Sequence, residues 1–205
     1  MKQEKHIIFP TEIWIFDNVL LNNELNSVVE AVYNEKVKHK VERTVAQSRP
    51  DLINSAVYRP LVDKAVECSK IYVEDKKWDY EGFKITGMWS NIQKTGQIFH
   101  PHTHSNNLIS GVYYAKSDNS KTTDIVFSDP RPQAGVLKPW NTRFIESNSD
   151  LWHYPSFQNR MILFPSWLSH YVPENKSSED RISIAFNVML TGQVGLPEDF
   201  QTATF

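Results

Sequence analysis

Residues 181–190, RISIAFNVML, alternate apolar and mixed side chains without a break, and this period of two restricts the fold more than any other feature of the chain. In an extended strand successive side chains point to opposite faces. Ile182, Ile184, Phe186, Val188 and Leu190 therefore face a core, and Arg181, Ser183, Ala185, Asn187 and Met189 face the other way. The strand belongs in a sheet with one wholly apolar side. Its polar row is either a wet surface or the lining of a ligand cavity.

The rest of the chain divides at about residue 83. Before it, residues 7–16 read as a first strand, with Pro10 marking a sheet edge. Leu25, Val28, Val29, Val32 and Tyr33 fall at helical spacing behind an N-cap at Asn22 or Asn23. A second helix starts at Pro60 with Leu61, Ala65, Cys68 and Tyr72 on one stripe. From there on, short segments at 83–93, 107–116, 122–128, 159–165 and 181–190 are β-branched or aromatic and are separated by Gly, Pro, Asn and Asp. Helices followed by strands predict an α+β fold whose second part is an antiparallel sandwich or jelly roll. Residues 129–158 lack periodicity and hold Trp140, Trp152 and Tyr154, which predicts an ordered lid-like loop.

With 205 residues, 40% of them hydrophobic, the chain can build one good core, so a single domain is expected: 1–82 as N-terminal strand and supporting helices, 83–192 as the jelly roll, 193–205 as a tail. Lys and Arg number 22 against 24 Asp and Glu, which gives no field for nucleic acid or an anionic membrane. Cys68 is the only cysteine, so neither a disulfide within the chain nor a thiolate metal cluster is available. No segment has the make-up of a signal peptide or a membrane span, and the expected location is the cytoplasm. A small-molecule or peptide substrate is the expected partner. The oligomeric state stays open between a monomer and a homodimer.

Three of the seven histidines fall within FHPHTHSNN (99–107), just before a strand. In extended chain His102 can project together with His104, or with His100. His170, in LFPSWLSHYVPEN, lies at the end of another strand. Imidazoles converging from two strand mouths make a transition-metal site with open coordination positions, which is an arrangement for catalysis. Arg181 follows His170 after a short return of the chain and can clamp a carboxylate, with Ser183 on the same face adding a hydroxyl. A metal with free positions beside a carboxylate clamp suits an α-keto diacid. His6, His39 and His153 read as ordinary surface or core residues, and Trp89, Trp167 and Phe186 as core. Asn91 and Asn187 can reach the pocket, as can one of Tyr113 and Tyr114, which straddle their strand.

The stretches FPTEIWIF, MWSNIQKTG, HPHTHSNNLISGVYY, IVFSDPRP and LFPSWLSHYVPENKSSEDRISIAFNV resemble the 2-oxoglutarate and Fe(II)-dependent oxygenases, in particular a prolyl-hydroxylase-like group of bacteria and phages. The resemblance implies a double-stranded β-helix with its N-terminal helices packed on the major sheet. It implies Fe(II) as cofactor and 2-oxoglutarate as co-substrate. His102 matches the first iron ligand, His170 the distal one, and Arg181-x-Ser183 the pair that binds the far carboxylate, with Tyr113, Asn91 and Asn187 as further candidates around it. At the middle ligand most of that superfamily has His-x-Asp or His-x-Glu, whereas this chain reads His102-Thr103-His104. The third ligand is then His104, Asp129 from the SDPR segment, or water. The expected activity is a dioxygenase that makes succinate and CO2 and hydroxylates an unidentified substrate.

Two other functions suit a β-rich scaffold: a cupin-like metal protein with chemistry independent of a keto acid, and a jelly-roll binding module without catalysis. Neither needs Arg181-x-Ser183 at its fixed offset from His170.

Overall fold

The computed structural model describes residues 1–35, 45–121, 123–196, 198 and 200–205. In chain order the principal elements are β1 (Trp14–Asp17), α1 (Asn22–Glu35), β2 (Ala46–Gln47), α2 (Arg59–Asp75), β3 (Gly82–Gln93), β4 (Phe99–His102), β5 (Ile109–Lys116), β6 (Ile125–Ser128), β7 (Leu151–Tyr154), β8 (Arg160–Pro165), β9 (His170–Val172), β10 (Arg181–Thr191), β11 (Gln193–Val194) and β12 (Ala203–Thr204). A six-stranded sheet runs β1-β8-β5-β10-β3-β2, and a four-stranded sheet runs β4-β9-β6-β7. Neighbouring strands in both are antiparallel. The two sheets face each other as the jelly roll of a double-stranded β-helix.

The alternation of 181–190 is realised in β10, which lies between β5 and β3 in the larger sheet. Ile182, Ile184, Phe186, Val188 and Leu190 are buried against Leu25, Val28 and Val32 of α1 and Leu61, Ala65, Cys68, Tyr72 and Val73 of α2. Burial of each such side chain is worth about 1.5–3 kcal/mol, which holds the helices on the outer face of that sheet. At the start of α1 the Glu24 carboxylate accepts the Leu21 N–H at 2.9 Å, and Pro60 occupies the first turn of α2. A second, smaller core lies between the sheets and joins Val112, Tyr114, Ile162 and Phe164 to Ile125, Phe127 and Leu168.

Several elements and tryptophans depart from expectation. The first strand begins only at Trp14; Ile7, Ile8 and Phe9 are exposed, and Phe9 has φ 56°, which interrupts an extended run. The segment 129–158 is not one loop, since Trp152 and Tyr154 belong to β7, which pairs with β6 and widens the smaller sheet. Trp140, expected to order that segment, is 97% exposed. Trp167 is 56% exposed and is not core, whereas Phe186 is fully buried. His39 lies outside the described residues. Among the described residues no helix is long and apolar enough to cross a membrane.

Candidate metal centre

Strand pairing brings the histidines together. β4 pairs with β9 so that His102 and His170 are direct partners, and His104 is held in the turn beyond β4 by its main-chain N–H, which donates to the Ser166 carbonyl at 2.9 Å. The ring centroids of His102 and His170 are 4.4 Å apart, and each lies 5.2 Å from that of His104. One nitrogen from each of the three lies within 4.8 Å of the other two.

Two of the rings have their tautomer set by the backbone. Nδ1 of His102 is 2.7 Å from the His100 carbonyl, and Nδ1 of His170 is 2.9 Å from the Leu168 carbonyl. A carbonyl oxygen only accepts, so in both rings Nδ1 carries the proton and Nε2 is free as a ligand. His170 is buried beside Phe164 and Phe127, with ring centroids at 4.6 and 5.9 Å. Burial drives its pKa down to about 3, so the ring is neutral at neutral pH. His104 is shifted in the same direction, mainly by burial and then by His102, with the Asn187 side chain opposing. Neutral imidazoles are the form that ligates a metal.

Behind the histidines is a cavity of about 80 Å³ between the sheets. Its lining includes Asn91, Tyr114, Arg181 and Ser183 together with Val112, Ile125, Phe164 and Val172. Among the described residues Arg181 is its only Lys, Arg, Asp or Glu. That guanidinium is 3% exposed. Its Nε donates to Ser156 Oγ at 3.2 Å and one terminal nitrogen to Gln93 Oε1 at 3.4 Å. It lies 4.8 Å from the centre of the Tyr114 ring. Burial lowers the Arg181 pKa, while Tyr114 and, through space, Asp124 favour its charged form. A guanidinium keeps its proton in proteins. The Tyr114 hydroxyl is buried without a hydrogen-bond partner, and burial pushes it up to about 12. Ser183 and Asn91 face each other across β10 and β3, with Asn91 Nδ2 3.5 Å from Ser183 Oγ.

The other sequence candidates separate clearly. Tyr114, not Tyr113, lines the cavity: the Tyr113 hydroxyl donates to Asn159 Oδ1 at 2.9 Å on the helix-covered face. Asp129 is turned away as a ligand, since Arg131 binds both of its carboxylate oxygens, at 3.0 and 2.8 Å. His100 contributes its carbonyl and leaves its ring exposed. Asn187 lies at the mouth with Trp89, Gln47, Ser48, Pro50, Thr103 and Ser105, around a chamber of about 440 Å³ that opens from the histidines.

Trp89, expected in the core, stacks on His104 with ring centroids 5.8 Å apart. Gln93 and Trp89 were legible in principle, because a period of two along β3 puts them on the face of the candidate Asn91; the structure pairs them with Arg181 and Ala185. Ser156 carried no signal, since it reaches Arg181 from an irregular segment.

Comparison with known proteins bears on this arrangement. The family described as "Putative 2OG-Fe(II) oxygenase" matches residues 87–187, a span that holds the three histidines, Arg181 and Ser183. No curated protein matches the sequence. Among solved structures, the non-heme alpha ketoglutarate dependent epimerase SnoN from nogalamycin biosynthesis superposes with a TM-score of 0.67 at 11% identity, over 87% of this chain and 76% of that one. A Pseudomonas putida prolyl-4-hydroxylase gives 0.64 at 9% identity, over 89% and 94%. HygX from Streptomyces hygroscopicus, with nickel and 2-oxoglutarate bound, gives 0.62 at 12%, over 87% and 82%. At such identities the likeness is one of fold.

Proposed function

We propose, from the premise that residues 87–187 of this chain belong to the 2OG-Fe(II) oxygenase family, that the protein is a 2-oxoglutarate- and O2-dependent non-haem Fe(II) oxygenase. The observation that carries the reading is a buried guanidinium with neutral hydrogen-bond partners in a cavity that three clustered imidazoles also line. A buried cation is costly unless an anion meets it, and a dicarboxylate anchored there extends its other end toward the histidines. The residues fit both groups: imidazole is a suitable donor for iron, and the guanidinium, the Ser183 hydroxyl and the free Tyr114 hydroxyl are donors for a carboxylate.

When bound, Fe(II) and 2-oxoglutarate supply the oxidation, in which the keto acid becomes succinate and CO2 and one atom of O2 enters a C–H bond of the substrate. The chain's own residues bind and orient. His102 and His170 present Nε2 because backbone carbonyls hold their other nitrogen, and His104 completes the set. Arg181, Ser183, Tyr114 and Asn91 hold the distal carboxylate. Val112, Ile125, Phe164 and Val172 keep water from the space between.

Among the described residues the mouth bears hydroxyl, amide and indole groups, which are donors and acceptors for a polar substrate. The reading takes all 205 residues as one oxygenase domain. It places the enzyme in the cytoplasm, where Fe(II) stays reduced and the single buried Cys68 stays a thiol.

The test is anaerobic addition of Fe(II) to the metal-free protein, then of 2-oxoglutarate. One iron per chain and a visible metal-to-ligand charge-transfer band on adding the keto acid are expected. Substoichiometric iron would return the fold to a binding module. Iron with no spectral response to the keto acid would point to cupin-like chemistry.

A further inference from the structure

His104 differs from its two companions in how its ring is oriented. His102 and His170 each lean on the carbonyl two residues earlier in the chain. The polar neighbour of the His104 ring is instead a side chain, the Asn187 amide, which shares the wall of the mouth.

Asn187 reaches that position by the alternation of β10, which puts it on the face of Arg181, Ser183 and Ala185. The pairing with β3 shifts just beyond it, where Thr86 is the extra residue between Gly87 and Ile85. The Asn187 amide is tied down. Ser110 Oγ donates to Asn187 Oδ1 at 2.8 Å, and Ser110 Oγ lies 2.8 Å from Ser166 Oγ. With the Ser110 proton committed to the amide, Ser166 is the donor in that second bond. The Ser166 carbonyl in turn accepts the His104 main-chain N–H. The chain of bonds thus starts at the backbone of His104 and ends on the Asn187 amide, which lines the same chamber as the His104 ring.

Ser110 and Ser166 are both fully buried. Hydroxyls in such places give little net stability, and apolar residues of similar shape serve a core as well. What these two accomplish is directional: they hold the amide oxygen with one lone pair occupied and the other available to a ring N–H.

We propose that Asn187, held by Ser110 and Ser166, is the positioning residue of the metal centre: it sets which nitrogen His104 turns to the ion, and so makes a third imidazole serve as the ligand. This rests on the metal-centre reading above and replaces a co-substrate contact as the role of Asn187. A partner that orients a ligating histidine typically contributes roughly 10–100-fold in metal affinity.

The experiment is titration of the metal-free protein with Co2+, followed by its visible absorption. Asn187→Leu, which keeps the volume and removes the acceptor, should weaken binding roughly 10–100-fold and change the absorption of the bound ion. Asn187→Asp, which keeps an acceptor, should restore tight binding. Ser110→Ala, which loses one hydroxyl, should move affinity the same way as Asn187→Leu by less, and it carries the test if the leucine variant does not fold.

In a His104→Ala background the Asn187→Leu change should have no further effect beyond about twofold, the usual limit for uncoupled sites. An equal loss in that background, or unchanged affinity in the single variants, would overturn the proposal while leaving the metal centre in place. A wild-type protein that binds no Co2+ would remove the metal centre and this proposal together.

Discussion

Arg181 is the side chain in which stability and function diverge most. It is buried with neutral hydrogen-bond partners, an arrangement that costs solvation energy and that the proposed dicarboxylate would offset. Charge-assisted hydrogen bonds contribute roughly 1.5–3 kcal/mol each, so removing a two-pronged contact should weaken 2-oxoglutarate by about a hundredfold or more. Arg181→Ala is therefore expected to bind iron normally and to need that much more keto acid to develop the charge-transfer band. Wild-type succinate production by this variant would remove the clamp. Arg181→Met should in addition unfold at a temperature no lower than wild type, since it fills the space without a charge. Arg181 and Ser183 were legible because a period of two places them on one face. The choice between Tyr113 and Tyr114 was not, because adjacent residues of one strand always straddle it and only the neighbouring layers say which side holds the cavity.

At the scale of elements, β10 joins the helix-packed core to the cavity, and its contact with β5 depends on an absent side chain. Gly111 is the register partner of Phe186, and a Cβ there would clash with Phe186 Cζ. Gly111→Ala should cost about 1–3 kcal/mol in urea unfolding through overpacking, and Phe186→Leu in the same chain should recover part of it. A second device secures the approach to β10. Asp118 accepts hydrogen bonds from the Ser120 hydroxyl at 2.6 Å, the Ser177 hydroxyl at 2.8 Å and the Ser120 N–H at 3.0 Å, which pull its carboxyl down to about 2 from 3.8. A carboxyl depressed in the folded state stabilises fully above its unfolded pKa, and that contribution fades as pH falls between the two values. Melting temperature measured from pH 5 to pH 2 should drop across about 3.8 to 2 in the wild type, and Asp118→Asn should flatten that part of the profile. The short strands β4, β7 and β9 escaped sequence reading because three or four residues give no measurable period; their partners in the other strands define them.

For the whole molecule, the centre joins parts of the chain far apart in sequence: β4 and the turn after it supply two imidazoles, and β9 supplies the third. An ion that binds all three is bound only by the folded chain. At a hundredfold excess over its dissociation constant it should stabilise the protein by about 2.7 kcal/mol, or roughly 5–10 °C in melting temperature for a domain of this size. Ni2+ under anaerobic conditions is a suitable probe, and a chelator should reverse the shift. No shift in the wild type, or an equal shift in His170→Ala, would show that the ion binds elsewhere.

By itself the sequence determined what local spacing encodes: two helices with apolar stripes, the strands long enough to show alternation, the two faces of 181–190, and the histidines at strand ends. Those patterns follow from 3.6 and 2.0 residues per repeat, which neighbouring residues impose on one another. Only the tertiary structure decided which tyrosine meets the cavity, that Asp129 is taken by Arg131, that Trp89 stacks on His104, and that Asn187 is tied through Ser110 and Ser166 to the His104 backbone. Each of these depends on distance between strands paired from remote parts of the chain, and distance across a sheet is set by register and packing, which no local period records.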